Sequence, residues 1–207
     1  MHLLRPLLLA AIFAAMPAAH ADTLIFDNLA APRDGADPLL SYGPLADSFS
    51  TGAQAGLVLT QVTALLKSDS AAVVGDLRVS LHADGANGPG SLIATLGTLS
   101  SAAVSTADFA AYTFKPAAGV QLSANTTYWI ELAATSPNAI EWSWSQTLGG
   151  PGVAGGNNYN ALFGVSPNTA FAPYQMAVAV QAVPEPASAT LLLGGVGLLA
   201  AARRKRA

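Results

Sequence analysis

The feature that most restricts the fold is a set of short segments in which apolar and polar residues alternate with a period of two. Residues 77–82, 128–132 and 175–181 show this alternation, which places every second side chain on one face of a β-strand. Gly, Pro and Asp-Gly pairs separate the segments, and these residues favour tight turns. Short strands with turns at this spacing predict an all-β fold, a single β-sandwich domain of jelly-roll type.

Further strands are expected where β-branched and aromatic residues cluster. Residues 57–66 form the longest candidate and are rich in Leu, Val and Thr, as in a central strand covered on both faces. Shorter candidates span residues 23–26, 48–51, 92–96, 111–114 and 140–144. No repeat of fixed period is visible, which disfavours a solenoid or a propeller.

The composition excludes several classes of function. Only 10% of the residues are charged and 52% are hydrophobic, unlike the charged, apolar-poor composition of disordered proteins. The chain has no cysteine, which excludes a disulfide scaffold, a thiolate metal site and a cysteine nucleophile. Residues 22–182 carry four basic and eleven acidic side chains, a net charge of −7 that argues against nucleic-acid binding.

The first 21 residues have the features of a secretory signal peptide. Arg5 precedes an apolar run at residues 7–15, and Ala19 and Ala21 provide the small side chains that signal peptidase requires before the cleavage site. The apolar run is too short for a bilayer core, which needs about 20 helical residues. The sequence therefore predicts cleavage by signal peptidase and an exported domain at residues 22–182.

The C-terminal segment combines three parts. Pro184, Glu185 and Pro186 precede residues 187–202, which contain no charge. Four basic residues that would stop transfer on the cytoplasmic side follow: Arg203, Arg204, Lys205 and Arg206. Sixteen helical residues rise only about 24 Å, less than the roughly 30 Å of a hydrocarbon core. The prolines interrupt any helix leading into the domain, so we expect an extended, accessible junction.

This tripartite end resembles the PEP-CTERM sorting signal of Gram-negative bacteria that produce exopolysaccharide. The resemblance spans residues 183–207 and implies a transmembrane sorting helix that holds the protein in the inner membrane. It also implies that an exosortase recognises Pro184, Glu185 and Pro186, cleaves near them, and thereby releases the protein or attaches it to the cell surface. An ordinary C-terminal tail anchor is the alternative, for which the apolar segment is short.

A second resemblance concerns the exported domain. The segments Ala46–Gly52, Val79–Leu92 and Asn125–Ile130 resemble, in their order, the choice-of-anchor R type of bacterial exported domain. That resemblance implies a β-sandwich surface domain, an interchangeable C-terminal sorting signal and no established activity.

Few residues suggest catalysis. His82 is the one histidine in residues 22–182, and no G-x-S-x-G or H-E-x-x-H motif accompanies it, so we interpret it as a solvated histidine at a strand end. Glu131 and Glu141 form a hypothetical acid–base pair, although alternating strand faces explain them equally well. We expect no enzymatic activity, no catalytic residue and no cofactor.

A metal site is also weakly indicated. Asp84 and Asn87 offer oxygen ligands for Ca²⁺, but the segment lacks the further acidic residues and the closing glutamate of an EF-hand loop. Asp and Asn before Gly also build tight turns, and we favour a turn here.

The aromatic residues give the most specific binding hypothesis. Trp142 and Trp144 lie two residues apart, on one face of a strand, and Trp129 points away from the apolar face of its own strand. Tyr159 follows Asn157 and Asn158 in the segment at residues 149–160, and these side chains are candidate polar contacts beside the strand of Trp144, with a flexible surface loop as the alternative. Exposed rings of this kind stack on sugars, whereas buried ones belong to an ordinary core.

Together these features predict an exported surface or matrix protein, structural or adhesive in an exopolysaccharide or biofilm setting. A carbohydrate-binding module with an aromatic site is the alternative, and a polysaccharide hydrolase is the third hypothesis. The expected partners are signal peptidase and exosortase as processing enzymes, the inner membrane before processing, and exopolysaccharide, with no nucleic acid.

Overall fold

A computed structural model describes residues 22–169 and 172–183, in which two antiparallel sheets pack face to face. This confirms the predicted β-sandwich. The predicted signal peptide and the remainder of the sorting signal, residues 184–207, lie outside the described residues. The strands are β1 Thr23–Asp27, β2 Gly35–Pro38, β3 Leu45–Ser50, β4 Leu57–Ser68, β5 Asp76–Gly85, β6 Gly88–Ser100, β7 Ala110–Phe114, β8 Val120–Leu122, β9 Thr127–Ala134, β10 Ile140–Trp144, β11 Asn157–Asn160, β12 Gly164–Pro167 and β13 Met176–Ala182. A short helix α1 spans Leu39–Tyr42, and a 3-10 turn spans Ser101–Ala103.

The two sheets place specific strands at their edges. Sheet A has the order β1-β13-β4-β10-β2, and β7 and β8 pair with the other side of β4. Sheet B has the order β12-β11-β3-β9-β5-β6. The buried side chains between the sheets form one continuous apolar core. The β10–β2 edge of sheet A faces the β11–β12 edge of sheet B across a gap, which is the candidate site described below.

The long strand β4 is central, as its composition predicts, because it pairs with β13, β10, β7 and β8. Its pairing with β13 shifts register at Thr60, where β4 has one extra residue. Such a bulge moves the inward-facing positions by one residue. The buried side chains consequently change from odd to even numbers along the strand: Leu57 and Leu59, then Val62, Ala64 and Leu66.

The strands predicted from alternation all form, but four others were not predicted. β8 has only three residues, and β2, β11 and β12 have four each. The sequences of β2, β11 and β12 are GADP, NNYN and GVSP, which carry little apolar alternation and contain turn-forming residues. Pairing with neighbouring strands makes these segments strands, because β2 adds to β10, β11 adds to β3, and β12 adds to β11.

Candidate functional site

An open cleft of about 760 Å³ occupies the gap between the two sheet edges. This volume lies within the range of roughly 300–1,000 Å³ that is typical of ligand pockets. The lining includes the aromatic rings of Tyr42, Trp144, Phe163 and Tyr174, the amides of Gln146, Asn158, Asn160 and Asn168, and the carboxylate of Asp37, together with Leu148, Ser166, Thr169 and Ala172. This combination presents apolar faces next to groups that both donate and accept hydrogen bonds.

Trp144 forms the wall that sheet A contributes. In the register of β10 with β2 it lies opposite Gly35, and its indole lies so close that a Cβ on Gly35 would come within 2.2 Å of the ring. The indole Nε1–H donates a hydrogen bond to Asp37 Oδ1 at 3.3 Å. Gly35 and Asp37 therefore fix the orientation of the indole, which stays half-buried at the cleft.

Tyr42 and Phe163 form the mouth of the cleft. Their ring centroids are 6.0 Å apart with an interplanar angle of 34°. Phe163 lies in the turn between β11 and β12, where its backbone N–H donates to Asn160 Oδ1 at 2.7 Å. Its side chain is 72% exposed. A phenylalanine held in place with its ring in water offers an apolar surface to a ligand.

Tyr174 lies at the floor of the cleft and links it to the core. Its hydroxyl donates to Asp37 Oδ2 at 2.6 Å, and its ring stacks on Trp142 with a centroid distance of 4.6 Å. Burial, and secondly the hydrogen bond to Asp37, raise the pKa of the Tyr174 hydroxyl. The hydroxyl therefore remains a neutral hydrogen-bond donor that orients the Asp37 carboxylate.

Beneath the floor, the fully buried carboxylate of Asp47 accepts three hydrogen bonds. The donors are the backbone N–H of Ser48 at 2.9 Å, Asn168 Nδ2 at 3.2 Å and the backbone N–H of Tyr174 at 2.7 Å. Asn168 in turn accepts from Asn158 Nδ2 at 3.1 Å. Burial raises the pKa of Asp47 well above its usual range, and the three donors offset this only in part. The network fixes Asn158 and Asn168, two of the three asparagines that line the cleft.

Replacing Asp47 with asparagine is expected to lower the free energy of unfolding by about 1–3 kcal/mol. An amide has one accepting oxygen, so either orientation turns its NH₂ group toward the N–H of Ser48 or of Tyr174. Urea unfolding of both proteins measures the difference. Asp108→Asn is the matched control, since Asp108 is exposed and takes part in none of the hydrogen bonds of this network.

Asp47→Asn is also expected to remove a pH dependence of the free energy of unfolding. Because the pKa of Asp47 is higher in the folded chain, its protonation stabilises the fold, and this contribution is lost as pH rises from about 4 through the folded pKa. The free energy of unfolding of the wild type, measured with urea at several pH values, should contain a contribution that falls as pH rises over this range. The free energy of Asp47→Asn should lack that contribution. An identical pH profile in both proteins would contradict this assignment.

Two of the predicted glycan-binding tryptophans are buried. Trp142 is 0% exposed in the core between the sheets, and its Nε1–H donates to the carbonyl oxygen of Gln175 at 2.9 Å. Trp129 is 2% exposed. Neither ring is open to a ligand in this structure, which corrects the hypothesis that Trp129 and Trp142 lie on exposed strand faces. Of the three, Trp144 alone lines the cleft.

Trp129 is buried although it points away from the core. It lies on the outer face of sheet B, where its Nε1–H donates to Asp84 Oδ1 at 2.7 Å. Tyr159 faces the same side and packs so closely on Gly88 that a Cβ there would come within 2.8 Å of the Tyr159 ring. The hairpin formed by β5 and β6 thus folds over this face of the sheet, and Tyr159 does not line the cleft.

The weak calcium candidates form part of this hairpin. Asn87 and Ala86 are the two turn residues that join β5 to β6, as the turn interpretation predicts, and Asp84 accepts the hydrogen bond from Trp129. Within residues 22–169 and 172–183, no group of three or more His, Asp or Glu side chains is placed to hold a metal ion.

His82 is not the solvated strand-end residue expected from the sequence. It is 8% exposed and lies within β5. Its Nδ1 donates to the carbonyl oxygen of Gly90 at 3.0 Å, while its Nε2 lies 3.1 Å from Ser80 Oγ and 3.5 Å from Glu131 Oε1. In a catalytic triad the nucleophile and the carboxylate contact opposite ring nitrogens, an arrangement that this cluster does not have. The histidine ties the hairpin to the sheet.

Glu131 and Glu141 do not form an acid–base pair. Glu131 is on the outer face of sheet B, since its neighbours Ile130 and Leu132 belong to the core. Glu141 is on the outer face of sheet A, opposite the core residues of β10. Packed sheets are about 10 Å apart, so two outward carboxylates are separated by more than the 5–10 Å of a glycosidase pair. Burial and the neighbouring Asp69 raise the pKa of Glu141.

Several cleft residues were missed by sequence reasoning: Asp37, Tyr42, Phe163 and Tyr174. Tyr42 and Phe163 are each followed by glycine in a segment without alternation, and an aromatic residue in such a segment is the signal that points to them. The asparagines at 157 and 158 were considered as polar contacts beside the strand of Trp144. Asn158 does line the cleft together with Trp144, within β11 and not within a loop.

Comparison with known proteins identifies the C-terminal segment. Residues 182–206 match the PEP-CTERM protein-sorting motif. The chain carries a PEP-CTERM sorting signal. This motif implies a secreted protein that is anchored transiently in the membrane and then held at the surface, with exosortase as the processing enzyme. No curated protein matches the chain.

The matched PEP-CTERM segment begins at Ala182, which is the last residue of β13. Of the helices in the described part of the chain, none has the length and apolar character needed to cross a bilayer. The predicted membrane segment at residues 187–202 falls outside that part.

Proposed function

We propose that this PEP-CTERM protein is a non-enzymatic surface adhesin whose β-sandwich domain binds polysaccharide in the cleft between the sheet edges. A structural or adhesive role and a carbohydrate-binding module are then one function, in which the module attaches the displayed protein to exopolysaccharide in a biofilm matrix. The observation that carries the proposal is the convergence of Tyr42, Trp144 and Phe163 on a cleft that amide side chains also line.

The chemistry of the cleft suits a sugar. The C–H face of a pyranose ring is apolar and packs on the electron-rich face of an aromatic ring. Asn158, Asn160 and Gln146 both donate and accept, as the surrounding sugar hydroxyls do. Trp144 is held by Gly35 and Asp37 before any ligand arrives, so little rotamer entropy is lost on binding.

The remaining parts of the proposal rest on the sequence. The signal peptide at residues 1–21 and signal peptidase cleavage after Ala21 provide export, and the resemblance of the domain to the choice-of-anchor R type fits a surface role. The absence of enzymatic activity is likewise a proposal. It is supported by the placement of Glu131 and Glu141 on opposite faces of the sandwich.

Binding is tested by affinity electrophoresis of the full chain, purified in detergent, in native gels that contain one of a panel of polysaccharides. We expect at least one polysaccharide to retard the wild type, and Trp144→Ala or Phe163→Ala to weaken retardation at least tenfold, because each removes a stacking surface. Ile93→Ala is the matched control, since Ile93 is also an exposed apolar residue but lies on β6.

Two results would contradict the proposal. One is that no polysaccharide of the panel retards the wild type. The other is that Trp144→Ala and Phe163→Ala bind as well as Ile93→Ala, since retention would then come from another surface.

A further inference from the structure

The charge of the cleft distinguishes between classes of polysaccharide. Its described lining contains one carboxylate, Asp37, and no basic side chain. The four basic residues of the exported domain lie elsewhere. Arg33 stacks over the ring of Phe109 at 4.5 Å, Lys67 bonds to Asp69 at 3.2 Å, and neither Arg78 nor Lys115 lines the cleft.

The carboxylate of Asp37 is fixed and has no ionic partner in the described part of the chain. Its Oδ1 accepts from Trp144 and its Oδ2 accepts from Tyr174, so the group is held between the wall and the floor of the cleft. Each oxygen has further lone-pair capacity for a hydroxyl donor. A second carboxylate, that of Asp34, accepts from the backbone N–H of the lining residue Gln146 at 2.7 Å.

From this geometry we infer that the cleft binds neutral, hydroxyl-rich polysaccharide and rejects uronate and sulfated polysaccharide, and that Asp37 determines this specificity. The inference rests on the proposed function and names its ligand class. A sugar hydroxyl donates to the free lone pairs of Asp37. A ligand carboxylate or sulfate at the same place has no hydrogen to donate, finds no cation among the described lining residues, and meets the fixed negative charge of the half-buried Asp37 carboxylate.

The experiment uses matched pairs of polysaccharides that share a backbone and differ in charge. Hydroxyethyl cellulose is paired with carboxymethyl cellulose, and dextran with dextran sulfate, in affinity gels with the full chain purified in detergent. For whichever pair the protein binds, we expect its affinity for the neutral member to exceed its affinity for the charged member at least tenfold at low salt. Added salt should narrow the preference, because exposed charges repel less when they are screened.

Asp37→Asn tests the assigned residue. The new amide can accept from Trp144 Nε1–H and donate to the Tyr174 hydroxyl oxygen, so both contacts of Asp37 have a counterpart. We expect the ratio of neutral to anionic affinity to fall at least threefold. Asp108→Asn changes the net charge equally at an exposed position outside the cleft and should leave the ratio as in the wild type.

The possible outcomes separate the two proposals. If the anionic member is retained as strongly as the neutral one, and Trp144→Ala weakens both, the charge selection is overturned while polysaccharide binding in the cleft stands. If Asp37→Asn leaves the ratio unchanged, the assignment of Asp37 is overturned. If neither member of any pair is retained, polysaccharide binding and the selection both fail.

Discussion

Replacing Pro184, Glu185 and Pro186 together with alanine is expected to leave the full chain in the membrane fraction of an exosortase-containing host. The wild type should appear at the surface or in the medium. The three residues lie within the segment that matches the PEP-CTERM motif. Proline disfavours a helix, whereas alanine is the strongest helix former. The substitution therefore removes both the residues expected to be recognised and the prolines expected to interrupt a helix at this junction.

Cell fractionation followed by immunoblotting measures this result. Trp144→Ala serves as the control, since it alters the cleft and leaves the sorting signal intact, and it should be released as the wild type is. Release of the triple-alanine variant at the wild-type level would show that residues 184–186 do not direct processing.

The second large effect is expected from Trp142→Ala, which should lower the free energy of unfolding by about 3–5 kcal/mol. Trp142 is fully buried, stacks on Tyr174 at an interplanar angle of 16°, and donates to the carbonyl oxygen of Gln175. Truncation would leave a cavity and remove one of the two hydrogen bonds that the Gln175 carbonyl oxygen accepts, the other coming from the backbone N–H of Leu65. Since domains are stable by only about 5–15 kcal/mol, such a loss is a large fraction of the total.

Trp144→Ala provides the contrast, because the same substitution two residues away removes a half-buried ring. We expect this substitution to lower the free energy of unfolding by about 1–2 kcal/mol, because the Trp144 ring buries less apolar area than the Trp142 ring. Urea unfolding followed by far-ultraviolet circular dichroism compares the two, since the fluorescence signal itself changes when a tryptophan is removed. If Trp144→Ala destabilises the protein more than Trp142→Ala, the division into a core ring and a cleft ring is wrong.

The sequence predicted the framework of this protein better than its cleft. Alternation identified β5 and β9 because Val79, Leu81, Ile130 and Leu132 face one common core. It also placed Trp129 on the opposite side of β9, which is correct, yet Trp129 is buried because a hairpin from elsewhere in the chain covers it. Coverage by a distant segment leaves no mark in the local pattern of apolar residues.

The cleft was largely invisible in the sequence for a related reason. The strands β2, β11 and β12 have four residues each and owe their extended conformation to pairing, β2 with β10, β11 with β3, and β12 with β11. Their side chains become neighbours only when the two sheets pack, so no spacing along the chain relates Asp37 to Asn158. Trp144 was a candidate because it ends a recognisable strand, whereas Phe163 lies in a turn.

The position of β13 has a mechanical consequence. Tyr174, at the cleft floor, lies two residues before this strand, and the sorting signal begins at its far end. A polysaccharide pulling on the cleft of a protein anchored through its C-terminus would therefore load β13 along its own axis. β13 is paired with β1 on one side and β4 on the other, and antiparallel hydrogen bonds run across the strand direction. Such a load would shear both ladders at once instead of peeling them bond by bond, which is the more resistant geometry.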